Sequence, residues 1–361
     1  METPPFLCEE LLQEILLLLP VKSLVRFKCV SQSWKSIISD SQFIKLHLHR
    51  SSSKTKNTDF AHLRLLLNSP SESRLATTVA IPDDYIFSGT CNGLICLCTY
   101  LKYGRENFKY LYRFWNPATR VMSQHSPPLR FTSTSSWNYG VGYDCSTDTY
   151  KVVVALSHFE SGEITVHVYN MGDTCWRTIQ DSHLPSMHPK CDAVYVNNTL
   201  NWLAIRPYVE DRDRCTILSF DLGKESCAQL PWPYCSQSRY DFYRTKPTLG
   251  VLRDCLCIYQ AENEIHFAVW QMKEFGVHKS WTRLFNIAGY PYVIKNIMRG
   301  HSFAMYMSEN GDALLLSKLG WSQLQAVLYT QKDNKLEVTN VANYIFDCYA
   351  MNYIESLVPP C

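Results

Sequence analysis

Val168-Tyr169-Asn170-Met171, followed by Trp176-Arg177-Thr178-Ile179, has a counterpart further along in Val269-Trp270-Gln271-Met272, followed by Trp281-Thr282-Arg283-Leu284. In both stretches an aromatic residue closes a run of alternating polarity, a polar turn follows, and a tryptophan opens the return. The same unit occurs at Phe114-Trp115-Asn116-Pro117, at Leu218-Ser219-Phe220-Asp221-Leu222-Gly223 and at Val327-Leu328-Tyr329-Thr330. Its aromatics, Trp115, Tyr169, Phe220, Trp270 and Tyr329, recur at intervals of roughly 50 to 60 residues, the length of a four-stranded blade of the kelch kind. Further strand candidates fill the intervals: Gly93–Thr99, Tyr150–Leu156, Ala193–Ala204, Thr248–Gln260 and Ala313–Ser317. Regularly spaced hairpins also build sandwiches. A constant blade-length period favours a propeller, whose ring removes long open sheet edges.

The front of the chain has another period. Leu11, Leu12, Ile15, Leu16, Leu18 and Leu19 fall within an arc of roughly 160° at about 100° per residue, and Leu17 projects from the opposite side. Pro20 has no amide proton and disfavours helix in the residue before it, which ends the element. Ser23 is placed to cap a second short helix carrying Leu24, Phe27 and Val30. Ser31 or Ser33 caps a third, which presents Trp34, Ile37 and Ile38 before Phe43. A module of about 40 residues has difficulty burying so much apolar surface internally. Each Leu or Ile left in water forgoes roughly 1.5–3 kcal/mol. Two arrangements answer this: a helical cap packed on the rest of the chain, or a module that docks on a partner. Beyond it, Ser51-Ser52-Ser53-Lys54-Thr55-Lys56-Asn57-Thr58-Asp59 has no large apolar residue and reads as a linker.

Leu7-Cys8-Glu9-Glu10-Leu11-Leu12-Gln13-Glu14-Ile15-Leu16, Leu19-Pro20-Val21-Lys22-Ser23-Leu24 and Phe27-Lys28-Cys29-Val30-Ser31-Gln32-Ser33-Trp34 resemble the F-box, in order and without gaps. That resemblance implies docking on the small Skp-type adaptor of SCF ubiquitin ligases, and through it on a cullin. The contact residues it implies are Leu7, Leu11, Leu12, Ile15, Leu16 and Leu19, then Pro20, Val21, Leu24, Phe27, Val30 and Trp34. Cys8 stands where the family usually has proline, and Gln32 where lysine is common. Lys22, Arg26, Lys28 and Lys35 have no acidic residue among them and could steer the module toward an acidic adaptor.

Downstream, Cys91-Asn92-Gly93-Leu94-Ile95-Cys96-Leu97, Trp115-Asn116-Pro117-Ala118-Thr119-Arg120 and Gly140-Val141-Gly142-Tyr143-Asp144 resemble the F-box-associated interaction domain of plant F-box proteins. So do Leu200-Asn201-Trp202-Leu203-Ala204 and the closing Tyr353-Ile354-Glu355-Ser356-Leu357-Val358. The resemblance implies an α+β multidomain chain: a three-helix F-box (1–47), a linker (48–59) and an all-β, kelch-like propeller (60–358). The implied role is recruitment of a target protein for ubiquitination. No residue identifies that target.

Composition narrows the remaining classes. A net charge of +2 over 361 residues lacks the bulk basicity of a nucleic-acid binder. The apolar run Ile15–Leu19 is far too short to cross a bilayer. Fifteen cysteines include no CxxC. Cys96 and Cys98, like Cys255 and Cys257, are two apart and share a strand face without a histidine cluster, so no metal site is expected. Met1-Glu2-Thr3-Pro4-Pro5 opens no secretory signal, which points to reduced thiols in cytoplasm or nucleus. There is no GxSxG, HExxH, P-loop or EF-hand pattern, so neither catalysis nor a cofactor is expected. Gly140-Val141-Gly142 lacks the third glycine of a dinucleotide loop and reads as a turn. Asp144-Cys145-Ser146-Thr147-Asp148 reads as a hairpin turn, and Asn116 before Pro117 as a turn initiator. The competing reading is a standalone kelch-type propeller that binds a ligand or a metal, such as copper held by Tyr and His, although no spacing identifies the ligands.

Overall fold

The structure is a computed structural model. It describes residues 8–56, 63–67, 77–82, 84–103, 107–132, 135–158, 164–179, 188–189, 193–205, 215–230, 232–233, 247–262, 266–288, 302–307, 311–319, 323–333, 335–343 and 348–360.

Four helices open it: α1 (Glu9–Leu17), α2 (Val21–Phe27), α3 (Gln32–Ser39) and α4 (Ser41–Lys56). Pro20 separates the first two as expected, but it is itself the N-cap of α2, whose first helical residue is Val21, so Ser23 caps nothing. Of the two candidates for α3, Ser31 is the cap: its Oγ accepts the Trp34 amide at 3.1 Å. The fourth helix was not expected and runs through much of the stretch read as a linker. Asp40 starts it by accepting the Gln42 and Phe43 amides at 2.9 Å each. Phe43, Ile44 and His47 hold it to the module by turning inward at helical spacing.

The remaining described residues form a ring of six β-sheets, five of them built on a four-strand antiparallel meander. Blade I has strands Ile86–Cys91, Leu94–Tyr103, Asn107–Asn116 and Val121–Met122, with Leu129–Thr132 added along the third. Blade II has Ser135–Asp144, Thr149–His158, Ile164–Asn170 and Arg177–Ile179. Blade III has Val194–Val196, Thr199–Ile205, Cys215–Asp221 and Ser226–Leu230. Blade IV has Thr248–Leu252, Cys255–Glu262, His266–Met272 and Trp281–Ala288. Blade V has Ser302–Met307, Ala313–Leu319, Gln323–Thr330 and Lys335–Asn343. Each of the five recurring aromatics lies within the last three residues of a third strand. That is why one sequence unit repeats once per blade.

The first strands of successive blades pack side by side around the ring, and that of blade V meets Cys348–Asn352. This late strand pairs antiparallel with Leu63–Leu67, which pairs parallel with Thr77–Ala80. The sixth sheet therefore joins the two ends of the propeller. Second strands lie between neighbouring blades on both faces, so Leu94-Ile95-Cys96-Leu97-Cys98 is apolar without alternation and buried throughout. The third strand of blade I alternates, with Tyr110, Tyr112, Phe114 and Asn116 inward.

Two sequence expectations change here. Ala193–Ala204 and Thr248–Gln260 are each a hairpin rather than one strand. Asn197-Asn198 and Arg253-Asp254 turn the chain in two residues with φ of 51° and 60° in both cases. Gly140-Val141-Gly142 is no turn but part of a first strand. A Cβ on Gly140 would lie 2.5 Å from that of Ala193, and one on Gly142 would lie 2.7 Å from Leu222 and from Tyr195. Blade III approaches too closely there for a side chain.

Candidate functional site

Within the helical module the first question is which apolar residues the chain covers itself. Leu16, Leu24, Ile38 and Phe43 are wholly buried, and Val21 nearly so. These residues belong to one contiguous apolar cluster that continues into blades I and II through Leu94, Phe114 and Tyr150 and includes Leu357 and Val358. The module is thus partly a cap on the propeller. Lys45 on α4 adds an exposed clasp, donating to Asp148 in the first turn of blade II at 2.5 Å. The second oxygen of Asp148 accepts the Tyr143 hydroxyl. The bonds from Lys45 and Tyr143 hold the Asp148 carboxyl below the ordinary carboxylate range.

The cap does not use up the greasy surface. Leu11, Ile15 and Leu18 are 58%, 48% and 52% exposed. They sit at i, i+4 and i+7, one stripe along α1 and its end. The broad apolar arc read from the sequence is in fact split: Leu16 turns inward, Leu12 and Leu19 are half-buried, and Leu11, Ile15 and Leu18 face water. Leu17, read as projecting from the side opposite that arc, is buried. Val30 and Leu46 are also exposed, at 60% and 46%. Free helix faces with this much apolar surface mark association sites in small modules.

The twelve residues carried over by resemblance therefore separate by exposure. Leu11, Ile15, Pro20 and Val30 are open to solvent; Leu12, Leu19, Phe27 and Trp34 are partly so. Phe27 and Trp34 pack edge to face, with ring centroids 5.2 Å apart. Leu16, Val21 and Leu24 are buried within the chain. Leu7 lies outside the described residues. Two exposed residues were missing from that set. Leu18 could have been found as one turn beyond Ile15, whereas Leu46 sits on the unexpected fourth helix.

The other sequence motifs turn out to be fasteners. Asn116 is wholly buried. Its Oδ1 accepts the Ala118 and Thr119 amides at 3.0 and 3.3 Å, the expected turn. Its Nδ2 donates to the carbonyls of Ser356 and Val358 at 3.0 and 2.8 Å, a link the sequence did not reveal. Gly93 (φ +80°) lies against the same segment: a Cβ there would be 2.4 Å from Ser356 Oγ and 2.5 Å from the Ile354 carbonyl oxygen. Three separate motifs thereby meet where the end of the chain crosses blade I. Between blades II and III, Lys151 Nζ donates to Asp144 (2.9 Å), Glu225 (2.8 Å) and the Leu222 carbonyl (2.7 Å). Burial alone would raise the Asp144 carboxyl, but bonds from Ser146, Thr147 and Lys151 outweigh it and hold the group far below the usual range. Every hydrogen-bonding direction of this carboxylate is engaged in structure, which leaves no acid–base role for it.

The described cysteines are free. Burial pushes Cys91, Cys98 and Cys257 up to about 12, so these thiols are neutral and poor nucleophiles at physiological pH. Among the described residues no group of three or more His, Cys, Asp or Glu is gathered as metal ligands. No described helix is long and apolar enough to cross a membrane.

Comparison with known proteins matches residues 6–46 to the family described as F-box domain, and residues 70–360 to the F-box associated beta propeller domain. An F-box/kelch-repeat protein of Arabidopsis thaliana is 35% identical over 313 residues, covering 80% of this chain and 81% of its own. The F-box protein CPR1 of the same plant is 26% identical over 362 residues, covering 88% and 82%. Among solved structures, the β-propeller domain of the Trilobed protease from Pyrococcus furiosus aligns at 12% identity, covering 71% of each chain, with a TM-score of 0.38. At that level of superposition it does not bear on what this chain binds.

Proposed function

Because this chain belongs to the plant F-box proteins that carry an F-box-associated β-propeller domain, we propose that it is the substrate-recognition subunit of an SCF ubiquitin ligase. The helical module docks on a Skp-type adaptor and through it on a cullin, while the propeller holds a target protein. A receptor role of this general kind is what the two matched families support. The observation that carries the reading is the uncovered stripe Leu11, Ile15 and Leu18. The chain already covers the other side of the same helix and leaves this one free.

The contribution is binding and geometry. Holding a target beside a charged ubiquitin-conjugating enzyme raises the effective concentration of its lysines without any chemistry on this chain. The apolar cluster that runs from the helices into blades I and II favours a fixed spacing between adaptor and target. The module contacts the end of blade II that carries the turn at 145–148, and we assign target binding to the opposite end of the blades. Cytoplasm and nucleus, where such ligases meet soluble targets, are the proposed compartments.

The test is affinity capture of the tagged full chain from plant cells with proteasomal degradation blocked. Adaptor and cullin should co-purify, together with ubiquitinated protein that disappears when residues 8–56 are removed. Capture without adaptor or cullin, from cells that express both, contradicts the proposal.

A further inference from the structure

Blade I outruns its own inner strand. Its second strand pairs with the third as far as Tyr103, which lies opposite Asn107. The inner strand stops earlier, with Ile86 opposite Cys98. In blade II, by contrast, the inner strand matches its neighbour to the end, Ser135 against His158. Residues 99–103 of blade I therefore present an open edge toward the ring axis, paired with no inner strand among the described residues. The chain that enters the inner strand turns away from this edge. Tyr85 closes a turn on the Pro82 carbonyl, and its hydroxyl accepts a bond from Arg113 of the third strand at 3.0 Å and lies 3.0 Å from His125 Nε2. The turn at Asn92-Gly93 and the end of the third strand at Asn116 mark the module's side of the ring. Residues 99–103 lie at the other end of the blade, about 30 Å away at roughly 3.3 Å per residue.

The side chains along this edge differ from those of the same strand nearer the module. Residues 94–98 are buried, whereas Tyr100 and Leu101 are 49% and 57% exposed and Lys102 is exposed. On one face, the Tyr100 ring lies 5.8 Å from Tyr110, which stacks on Phe131 at 4.5 Å and meets Trp137 at 4.9 Å. Lys102 Nζ sits 5.7 Å from the centre of the Phe108 ring. On the other face, Leu101 lies opposite Lys109, and Lys109 opposite Arg130. Residues 99–103, 107–110 and 129–132 hold these three cations and no Asp or Glu, and the connecting residues add one charge of each sign, Arg105 and Glu106.

An open edge offers backbone N–H and C=O groups in register, which an extended chain satisfies. We propose that residues 99–103 add a strand from the target protein, an extended segment that carries apolar or aromatic side chains and carboxylates. This deepens the receptor reading above and rests on it for the source of the segment. One set of the added strand's alternating side chains packs on Tyr100 and the rings behind it. The other set lies over Leu101, where carboxylates meet Lys109 and Arg130. A second copy of this chain would bring the same cations against Lys102, and a lysine on an edge guards against such self-pairing. A single-stranded nucleic acid needs open ring faces, but Tyr110 and Phe131 are buried and stacked on each other.

The experiment selects phage-displayed random peptides on the full chain and titrates the enriched peptide against wild type, Tyr100→Ser/Leu101→Ser and Lys102→Glu/Arg130→Glu. Melting temperature establishes that each variant is folded. The enriched peptides should be acidic, with apolar residues at alternate positions, and should bind each variant at least about tenfold more weakly. Amide exchange at residues 99–103 should slow when the peptide binds. N-methylation of one alternating set of peptide residues should abolish binding and of the other set should not, because only one set turns its N–H groups to the edge. No enriched peptide, or a peptide indifferent to both variants and to N-methylation, overturns the proposal. So does a wild-type dimer that itself protects residues 99–103, or an oligouridylate that binds there where peptides do not. In plant cells with degradation blocked, Lys102→Glu/Arg130→Glu should still capture adaptor and cullin but lose ubiquitinated protein. Retention of ubiquitinated protein by that variant overturns the edge as the target site. Failure of wild type to capture adaptor and cullin overturns the receptor reading instead, and the peptide titration then decides the edge by itself.

Discussion

Replacing Asn116 tests whether the end of the chain is a structural fastener or merely lies along blade I. Its Nδ2 supplies a hydrogen bond to each of the buried Ser356 and Val358 carbonyls, and its Oδ1 receives two turn amides. Asn116→Ala removes all four. A net hydrogen bond contributes about 1 kcal/mol, and a buried polar group left unpaired costs about 1–3 kcal/mol. The substitution should therefore destabilise by roughly 2–4 kcal/mol, limited by the freedom of residues 353–358 to lift off and rehydrate. Asn116→Asp separates the two functions. It keeps both acceptors for the turn but sets a carboxylate against two carbonyls, so it should be at least as damaging as alanine. Chemical denaturation gives the global loss, and amide exchange across 353–358 gives the local one. Faster exchange confined to that segment and its neighbours in blade I is expected for both variants. Unchanged stability and protection in Asn116→Asp would refute the fastener.

Gly93→Ala should destabilise well beyond the roughly 1 kcal/mol expected for backbone strain alone, because the new methyl meets Ser356 and the Ile354 carbonyl. Gly172→Ala, also at positive φ (+95°) but with open space around it, should show only the strain, and thermal melts of the pair make the comparison. Lys151→Ala leaves the Asp144 carboxylate buried without its cation and should cost about 3–5 kcal/mol by urea denaturation. Asp144 is depressed in the folded state, so its contribution is complete above its unfolded pKa of about 4 and is lost as pH falls toward its folded value. Melting temperature should drop below pH 4 in wild type and less steeply in Asp144→Asn. Cys8 caps α1 at φ −64°, the angle proline imposes, and Cys8→Pro should stabilise by about 0.4–1 kcal/mol, read as a higher melting midpoint.

What the sequence conveyed was whatever repeats or is local. An aromatic near the end of every third strand is periodic, so the blade architecture showed through five times. Ser31 and Asp40 differ in legibility for a physical reason. The first precedes an apolar helical pattern, while the second opens a helix whose later residues are serine, lysine and threonine. The turns at Asn197-Asn198 and Arg253-Asp254 carry neither glycine nor proline, so each hairpin looked like one long strand. The sixth sheet was out of reach, because pairing Leu63–Leu67 with Cys348–Asn352 depends on contacts between opposite ends of the chain. For the docking surface, helical period showed that α1 carries more apolar side chains than one face needs. It did not show which of them the chain would cover, and Leu16 and Leu17 proved to be the covered ones.

The most direct test is calorimetric titration of the full chain with purified Skp-type adaptor, wild type against Leu11→Asp/Ile15→Asp/Leu18→Asp. These side chains are already about half in water, so the variant should melt at the wild-type temperature. Burying the remaining half of each contributes roughly 1 kcal/mol, or about a hundredfold in affinity for the three together, before the added cost of burying carboxylates. Wild type should bind stoichiometrically and the triple variant should bind at least a hundredfold more weakly. A correctly folded triple variant with wild-type affinity would show that the exposed stripe on α1 is not where the adaptor docks.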